Sequence, residues 1–297
     1  MNYALFLGCN IPARVPQYEA AAKAVLKKLD VGLFGIDEFM CCGYPMRNID
    51  EFVFLVSAAR NMALCEQAKK DLLVLCKCCY GSLKMAEFHL KQNQDILENV
   101  NAVLAKEDLV FRGTIVIKHF LSVLHEDIGL STLKTHVKVK FKKLKIAASV
   151  GCHALRPAGV TKFDIPAAPT LFDDLVNLTG AKSIDWSKKS ECCGAPLLGI
   201  NDAVSQSIME KKLSNAKQAG AHFITVACPY SFLQFDTVQS RLAAEDTNWK
   251  TLGPVLYPQL LGLAMGIDST ILGIEINQIN IASLESYLSS EDDTKEK

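Results

Sequence analysis

Cysteine carries most of the reactive chemistry in this chain, and ten of its eleven copies follow a pattern that is written twice. Cys9 is followed by Cys41-Cys42-Gly43, and then by Cys76 with Cys78 and Cys79. Cys152 is followed by Cys192-Cys193-Gly194, and then by Cys228, with Ser231 standing where a last cysteine would fall. The intervals nearly agree, 9 to 41 against 152 to 192 and 42 to 76 against 193 to 228. Packing alone does not ask for soft, oxidisable side chains at matched intervals. The repeat implies two thiolate-rich metal sites in two homologous halves.

Each half offers more sulfur than a tetrahedral ion uses. A structural zinc takes four ligands, whereas the first half presents Cys9, Cys41, Cys42, Cys76 and Cys79, and Cys78 besides. Adjacent cysteine side chains diverge, which is awkward for one small ion. It suits a multi-iron cluster whose irons they reach separately. The glycine after each pair lets the backbone turn closely around a bulky core. Iron–sulfur is the reading this pattern favours, with a zinc-stabilised scaffold as the alternative.

The elements that must position these residues are legible around them. Apolar runs at Tyr3–Leu7, Leu72–Leu75, Ile146–Val150 and Phe223–Ala227 lead into Cys9, Cys76, Cys152 and Cys228. Short apolar runs of this kind suit buried parallel strands. Helical patterns lie between them at Tyr18–Leu29, Glu51–Lys69, Pro169–Leu178 and Ala203–Ala219. The alternation predicts α/β architecture: two homologous Rossmann-like halves, each with its cysteine motif at the carboxyl ends of parallel strands, where ligands collect. In Glu51–Lys69 the apolar face is read as Phe52, Leu55, Val56, Ala59, Met62 and Ala63. Cys65 on this helix has no counterpart and reads as a packed thiol. The stretch 134–145 alternates lysine with apolar residues and reads as a solvated linker or edge strand; a docking patch for an acidic partner is the other reading. The expected units are residues 1–144 and 145–290, with a charged tail over 291–297.

Bulk properties exclude several classes. The 297 residues carry 32 basic and 32 acidic side chains, so no net field draws nucleic acid. The start, Met1–Cys9, lacks a basic flank and reads as a first strand, not a signal peptide. No apolar stretch approaches the ~20 residues of a membrane span. A cytoplasmic location is expected, where many cysteines read as ligands or redox groups and not as a disulfide framework. There is no compact ferredoxin-type cysteine run and no G-x-G-x-x-G after a strand. The chain therefore needs a partner to receive electrons from a nucleotide.

The doubled Cys-Cys-Gly motif resembles the CCG-domain proteins, and within them the chain is similar to the B subunit of heterodisulfide reductase. Supporting stretches are FLGC at 6–9, CCGYP at 41–45, AARN at 58–61 and VLYPQLLGLAMG at 255–266. The resemblance spans nearly the whole chain. It implies a noncubane [4Fe-4S] cluster per intact motif, held by five cysteines. Cys9, Cys41, Cys42, Cys76 and Cys79 would hold the first. Cys152, Cys192, Cys193 and Cys228 would hold the second, with Ser231 in place of the fifth thiolate. Cys78 fills a slot that the family gives to a small residue, and reads as a spare thiol. The family also implies a disulfide substrate between the clusters, a ferredoxin-like iron–sulfur subunit (the C type) and a flavin subunit (the A type). His153, beside Cys152, is the candidate proton donor; a hydrogen bond to cluster sulfur would use it equally well. His119 and His222 read as structural. Arg14, Arg47 and Arg156 follow the cysteines on loops, where they hold an anionic substrate group or make surface ion pairs. The activity expected is reduction, or reversible formation, of a thiol disulfide; the alternative is a non-catalytic electron-transfer or sulfur-carrier-binding subunit with a modified second cluster.

Overall fold

A computed structural model describes residues 1–247 and 249–289. The charged tail expected over 291–297 lies outside the described residues. Two four-stranded parallel sheets carry the chain. In the first, β1 (Asn2–Phe6) lies between β2 (Gly32–Phe34) and β3 (Asp71–Val74), with β4 (Ile117–His119) beyond β3. The second repeats this order: β5 (Lys145–Ala148) lies between β6 (Lys182–Ser183) and β7 (Phe223–Val226), with β8 (Pro254–Leu256) beyond β7. Register places Ala4 opposite both Phe34 and Leu72, and Ala147 opposite Ile224. The four central strands are the four apolar runs of the sequence, as parallel strands covered on both faces require. The outer strands have two or three residues each, too few for a periodic pattern.

The helices expected from periodicity form at Pro16–Lys28, Glu51–Ala68, Leu171–Leu178 and Asp202–Gln218. Asp50 and Asn201 start the second and fourth by accepting from the backbone N–H of Val53 and Val204, which satisfies amides that would otherwise lack a partner. One expected core residue is misplaced. Phe52 is exposed, because it sits in the first turn; the inward stripe is Phe54, Leu55, Ala58, Ala59 and Met62. Cys65 is fully buried, and burial raises its thiol pKa to about 12. Of the lysine-rich stretch 134–145, residues 134–136 end the helix Leu130–His136 and Lys145 opens β5, so only 137–144 between them form a linker. Phe141 and Leu144 are buried while Lys138, Lys140, Lys142 and Lys143 face out, and the backbone is tied to Ala264 and Thr179.

The halves interlock. The helix Tyr257–Ala264 follows β8 yet packs on Pro16–Lys28 of the first half, where Lys28 Nζ donates to the Met265 carbonyl at 2.6 Å. Reciprocally, the helical segment after β4 packs on Leu171–Leu178 of the second half, and His125 meets Asp174 at 3.3 Å. One apolar core runs through both sheets. We keep the partition at 144 and 145 as a proposal for the folding units, since helices cross it.

In each half the loop carrying the cysteine pair is pressed onto the following helix by its glycine. Gly43 has φ +80°, and a Cβ there would stand 2.8 Å from the Phe54 carbonyl oxygen. Gly194 has φ +89°, and its Cβ would stand 2.3 Å from that of Ser205. No other residue tolerates both the left-handed backbone and the contact. A second tie comes from one helix position in different chemistry. Asn61 accepts from Met40 N–H at 2.9 Å and donates to the Cys41 carbonyl at 3.1 Å. Its counterpart Lys212 donates to the carbonyls of Lys188, Lys189 and Glu191 at 2.6, 3.3 and 2.8 Å, with the ammonium 5.0 Å from the Trp186 ring centre.

Two outcomes follow for unfolding of the metal-free chain in urea. Gly194→Ala is expected to cost about 2–4 kcal/mol from strain and overlap together, with Gly43→Ala costing less because its contact is longer. Lys212→Met is expected to cost about 2–3 kcal/mol, as buried carbonyls lose a charged donor. Unchanged midpoints would show that these loops are held by something else.

Candidate metal centre at the junction of the halves

The lone and paired cysteines of the first half meet beyond the ends of β1 and β3. Cys9 follows β1 after Gly8, whose missing side chain leaves room for the Cys79 sulfur: a Cβ there would stand 3.0 Å from Cys79 Sγ. Cys76 ends the turn after β3 and starts the helix Lys77–Gln92, accepting from the Cys79 N–H at 3.4 Å. Tyr18 fixes this turn from below, donating its hydroxyl to the Leu75 carbonyl at 2.7 Å. The sulfurs then form a series. Cys41 faces both Cys42 and Cys9, Cys42 faces Cys79, and Cys79 faces Cys76. The two adjacent sulfurs stay in contact with each other, while Cys41 also reaches exposed Cys9 and Cys42 also reaches buried Cys79.

The second half repeats the series with one change. Cys192 faces Cys152 and Cys193, and Cys193 faces the hydroxyl of Ser231. Ser231 is buried and takes the place that Cys79 holds in the first half. Its backbone N–H points at the Cys228 sulfur, as that of Cys79 does at Cys76. Thiol donors from Cys42 and Cys9 hold Cys41 far below the usual thiol range, and those from Cys152 and Cys193 do the same for Cys192. Each half therefore has a paired cysteine whose contacts favour the thiolate, the form that binds metal.

The two series touch. Cys76, Cys78 and Cys228 are all buried, with their sulfurs within 4.8 Å of one another. Burial opposes ionisation of Cys76, yet contacts from Cys228, Cys78 and Cys79 outweigh it and leave the thiol well below its ordinary value. Lys77 lies beside this junction, almost fully buried. Its ammonium donates to the Ser149 carbonyl at 3.1 Å and sits 4.6 Å from the Phe172 ring centre. Burial lowers its pKa to about 7, opposed by the sulfurs of Cys228, Cys152 and Cys78. A buried amine under a group of thiolates is a natural counter-charge. Its partners are distant in sequence, which is why the sequence alone does not single it out.

A cleft of about 520 Å³ lies beside the junction, lined by Tyr44, Arg47, Cys152, His153 and Arg156 among others. His153 Nδ1 lies 3.4 Å from Cys152 Sγ and 3.6 Å from Cys78 Sγ. Burial, and then the Arg47 charge, lower its pKa. Its ring meets Tyr44 edge-on at 5.1 Å, and Tyr44 in turn approaches Tyr230. Arg47 and Arg156 therefore reach the same space from opposite halves. Arg14 is exposed on the helix Asn10–Arg14 and does not line this cleft. His119 is buried, accepts from Leu121 N–H at 3.2 Å and packs on Tyr80 and Phe163; burial lowers its pKa to about 3. His222 stacks on Tyr287. Both fill structural roles.

The donor set fits an iron–sulfur group. It is soft thiol apart from Ser231 and extends over more sulfurs than one ion binds, although the paired cysteines, expected to diverge, touch one another in each half. Among the described residues no helix is long and apolar enough to cross a membrane. The family pattern of the CCG cysteine-rich domain matches residues 3–84 and 146–236. The B subunit of the ferredoxin/F(420)H(2)-dependent CoB-CoM heterodisulfide reductase of Methanosarcina acetivorans is 35% identical over 279 residues, 93% of each chain. The B subunit of the ferredoxin:CoB-CoM heterodisulfide reductase of Methanosarcina mazei is 35% identical over 280 residues, again 93% of each. The 8-methylmenaquinol:fumarate reductase membrane anchor subunit of Wolinella succinogenes is 30% identical, over 95% of this chain and 99% of that one. A crystal structure of a hypothetical protein from Helicobacter pylori superposes with a TM-score of 0.73 at 19% identity. It covers 95% of this chain, which spans 52% of that one, and the likeness speaks for the fold alone. With both matched repeats lying on the two thiol series, and similarity running nearly end to end, the chain belongs to the CCG cysteine-rich domain family and, within it, to the B-subunit group of heterodisulfide reductases.

Proposed function

We propose that the chain is the catalytic iron–sulfur subunit of a disulfide-reducing complex, cleaving a disulfide between two small thiols or forming it in reverse. The observation that carries this reading is the meeting of both thiol series at one buried junction, beside a cleft that Cys152 lines and that carries Arg47 and Arg156 from the two halves. Two noncubane [4Fe-4S] clusters are the cofactors it requires. Cys9, Cys41, Cys42, Cys76 and Cys79 would hold the first; Cys152, Cys192, Cys193 and Cys228 would hold the second, beside Ser231. When bound, such clusters supply single electrons next to iron that has affinity for sulfur.

The chain's own residues do the rest. Arg47 and Arg156 bind the anionic ends of the substrate, and a guanidinium fork suits carboxylate, phosphate or sulfonate. Tyr44 walls the cleft and orients the His153 ring. His153, with Nδ1 beside the Cys152 sulfur, holds or passes a proton at that atom. Electrons reach the chain from partners: a ferredoxin-like iron–sulfur subunit of the C type and, beyond it, a flavin subunit of the A type. A reducing cytoplasm is the compartment that would keep its eleven cysteines as thiols.

The test is reduction of a small anionic disulfide by the iron-loaded chain with a reduced viologen as donor, following dye oxidation. Thiol release at the rate of dye oxidation is expected. An iron-loaded chain that accepts electrons but releases no thiol would overturn the proposal. It would favour a role in electron transfer alone. In the same assay, Arg47→Ala and Arg156→Ala are each expected to raise KM for the anionic disulfide about tenfold, with little effect on a neutral disulfide. Equal effects on both substrates would place the arginines outside substrate binding.

A further inference from the structure

Cys78 belongs to the first half by sequence, yet much of its surroundings belong to the second. Its sulfur is grouped with those of Cys76 and Cys228, and it lies 3.6 Å from His153, the neighbour of Cys152. A small, partly open cavity joins Cys78 with Cys152, Cys193, Cys228 and Ser231; Cys9, Cys41, Cys42 and Cys79 are not among its lining residues. Three residues along the same helix, Gly81 shows why the approach is possible. A Cβ on Gly81 would stand 2.4 Å from the His153 carbonyl oxygen, so this helix face is pressed directly onto the second-half loop. The crossing is reciprocal. The position equivalent to Cys78 in the second half is Tyr230, whose hydroxyl meets Asn10 beside Cys9.

The second series is also the one that lacks a sulfur. Ser231 faces Cys193 where the first half has Cys79 facing Cys42. A serine oxygen is a harder and far less acidic donor than a thiol, and matches iron of a sulfide cluster poorly. A sulfur lies in the same cavity to make up the count.

We propose that Cys78 is a ligand of the second-half iron–sulfur group, supplying in trans the fifth thiolate that Ser231 does not. This deepens the function proposed above and rests on its reading of one cluster per half. The spare-thiol reading of Cys78 is thereby replaced by a role that the first-half motif alone does not reveal.

The experiment compares iron per chain and the EPR spectrum of anaerobically purified wild type, Cys78→Ala, Ser231→Cys, the double variant and Cys193→Ala. Cys78→Ala is expected to lose roughly half the iron, about four atoms of eight, together with the signals of one cluster. Adding Ser231→Cys is expected to restore both, which also shows that the alanine variant folds. Full iron and an unchanged spectrum in Cys78→Ala, with iron lost in Cys193→Ala, would overturn the ligand assignment and leave the two-cluster reading standing. Full iron in Cys193→Ala would overturn that reading, and this one with it. Iron lost in Cys78→Ala and not regained in the double variant, while Ser231→Cys alone is loaded, would show a structural effect and overturn the assignment.

Discussion

Three buried cysteines lie together at the centre of this protein, and any thiolate among them needs a hydrogen donor, a cation or a metal for its charge. Cys76, Cys78 and Cys228 lie within 4.8 Å of one another, with little access to solvent. Such a group is costly to assemble unless its charge is compensated. Compensation comes from the amino terminus of the helix Lys77–Gln92, from the buried Lys77 ammonium, and from the thiol protons themselves. The rest of the fold serves this junction. Strand ends deliver the cysteines, exchanged helices lock the halves around them, and two glycines press the paired cysteines inward.

Duplication explains the frame, and the departures from it are the informative part. Loop glycines, helix caps and strand order repeat faithfully. Three equivalent positions do not. Asn61 becomes Lys212, which substitutes a buried cation for an amide while still holding the loop before the cysteine pair. Cys79 becomes Ser231, which removes a sulfur from the second series. Cys78 becomes Tyr230, so one half sends a thiol across the junction and the other sends an aromatic ring. The two sites are therefore unequal in charge and in donor set.

Much of this was legible in the sequence because it is local. The apolar runs before Cys9, Cys76, Cys152 and Cys228 form the central strands, and the spacing of cysteines foretold two matched series. Phe52 was misread because periodicity cannot see where a helix leaves the core. The outer strands escaped because two or three residues hold no period. Lys77 was invisible for another reason: its partners Ser149 and Phe172 lie across the junction. Cys78 was visible but assigned no task, since proximity to Cys228 and His153 is a property of how the halves dock. Contacts between halves, not within them, are what the linear pattern leaves out.

The central claim is that both thiol series, meeting at one junction, hold an iron–sulfur cluster each. Iron and acid-labile sulfide per chain, measured on protein purified without oxygen, test it most directly. The account predicts about eight of each, four per cluster. Zinc without sulfide, or about four irons with the second series empty, would contradict it.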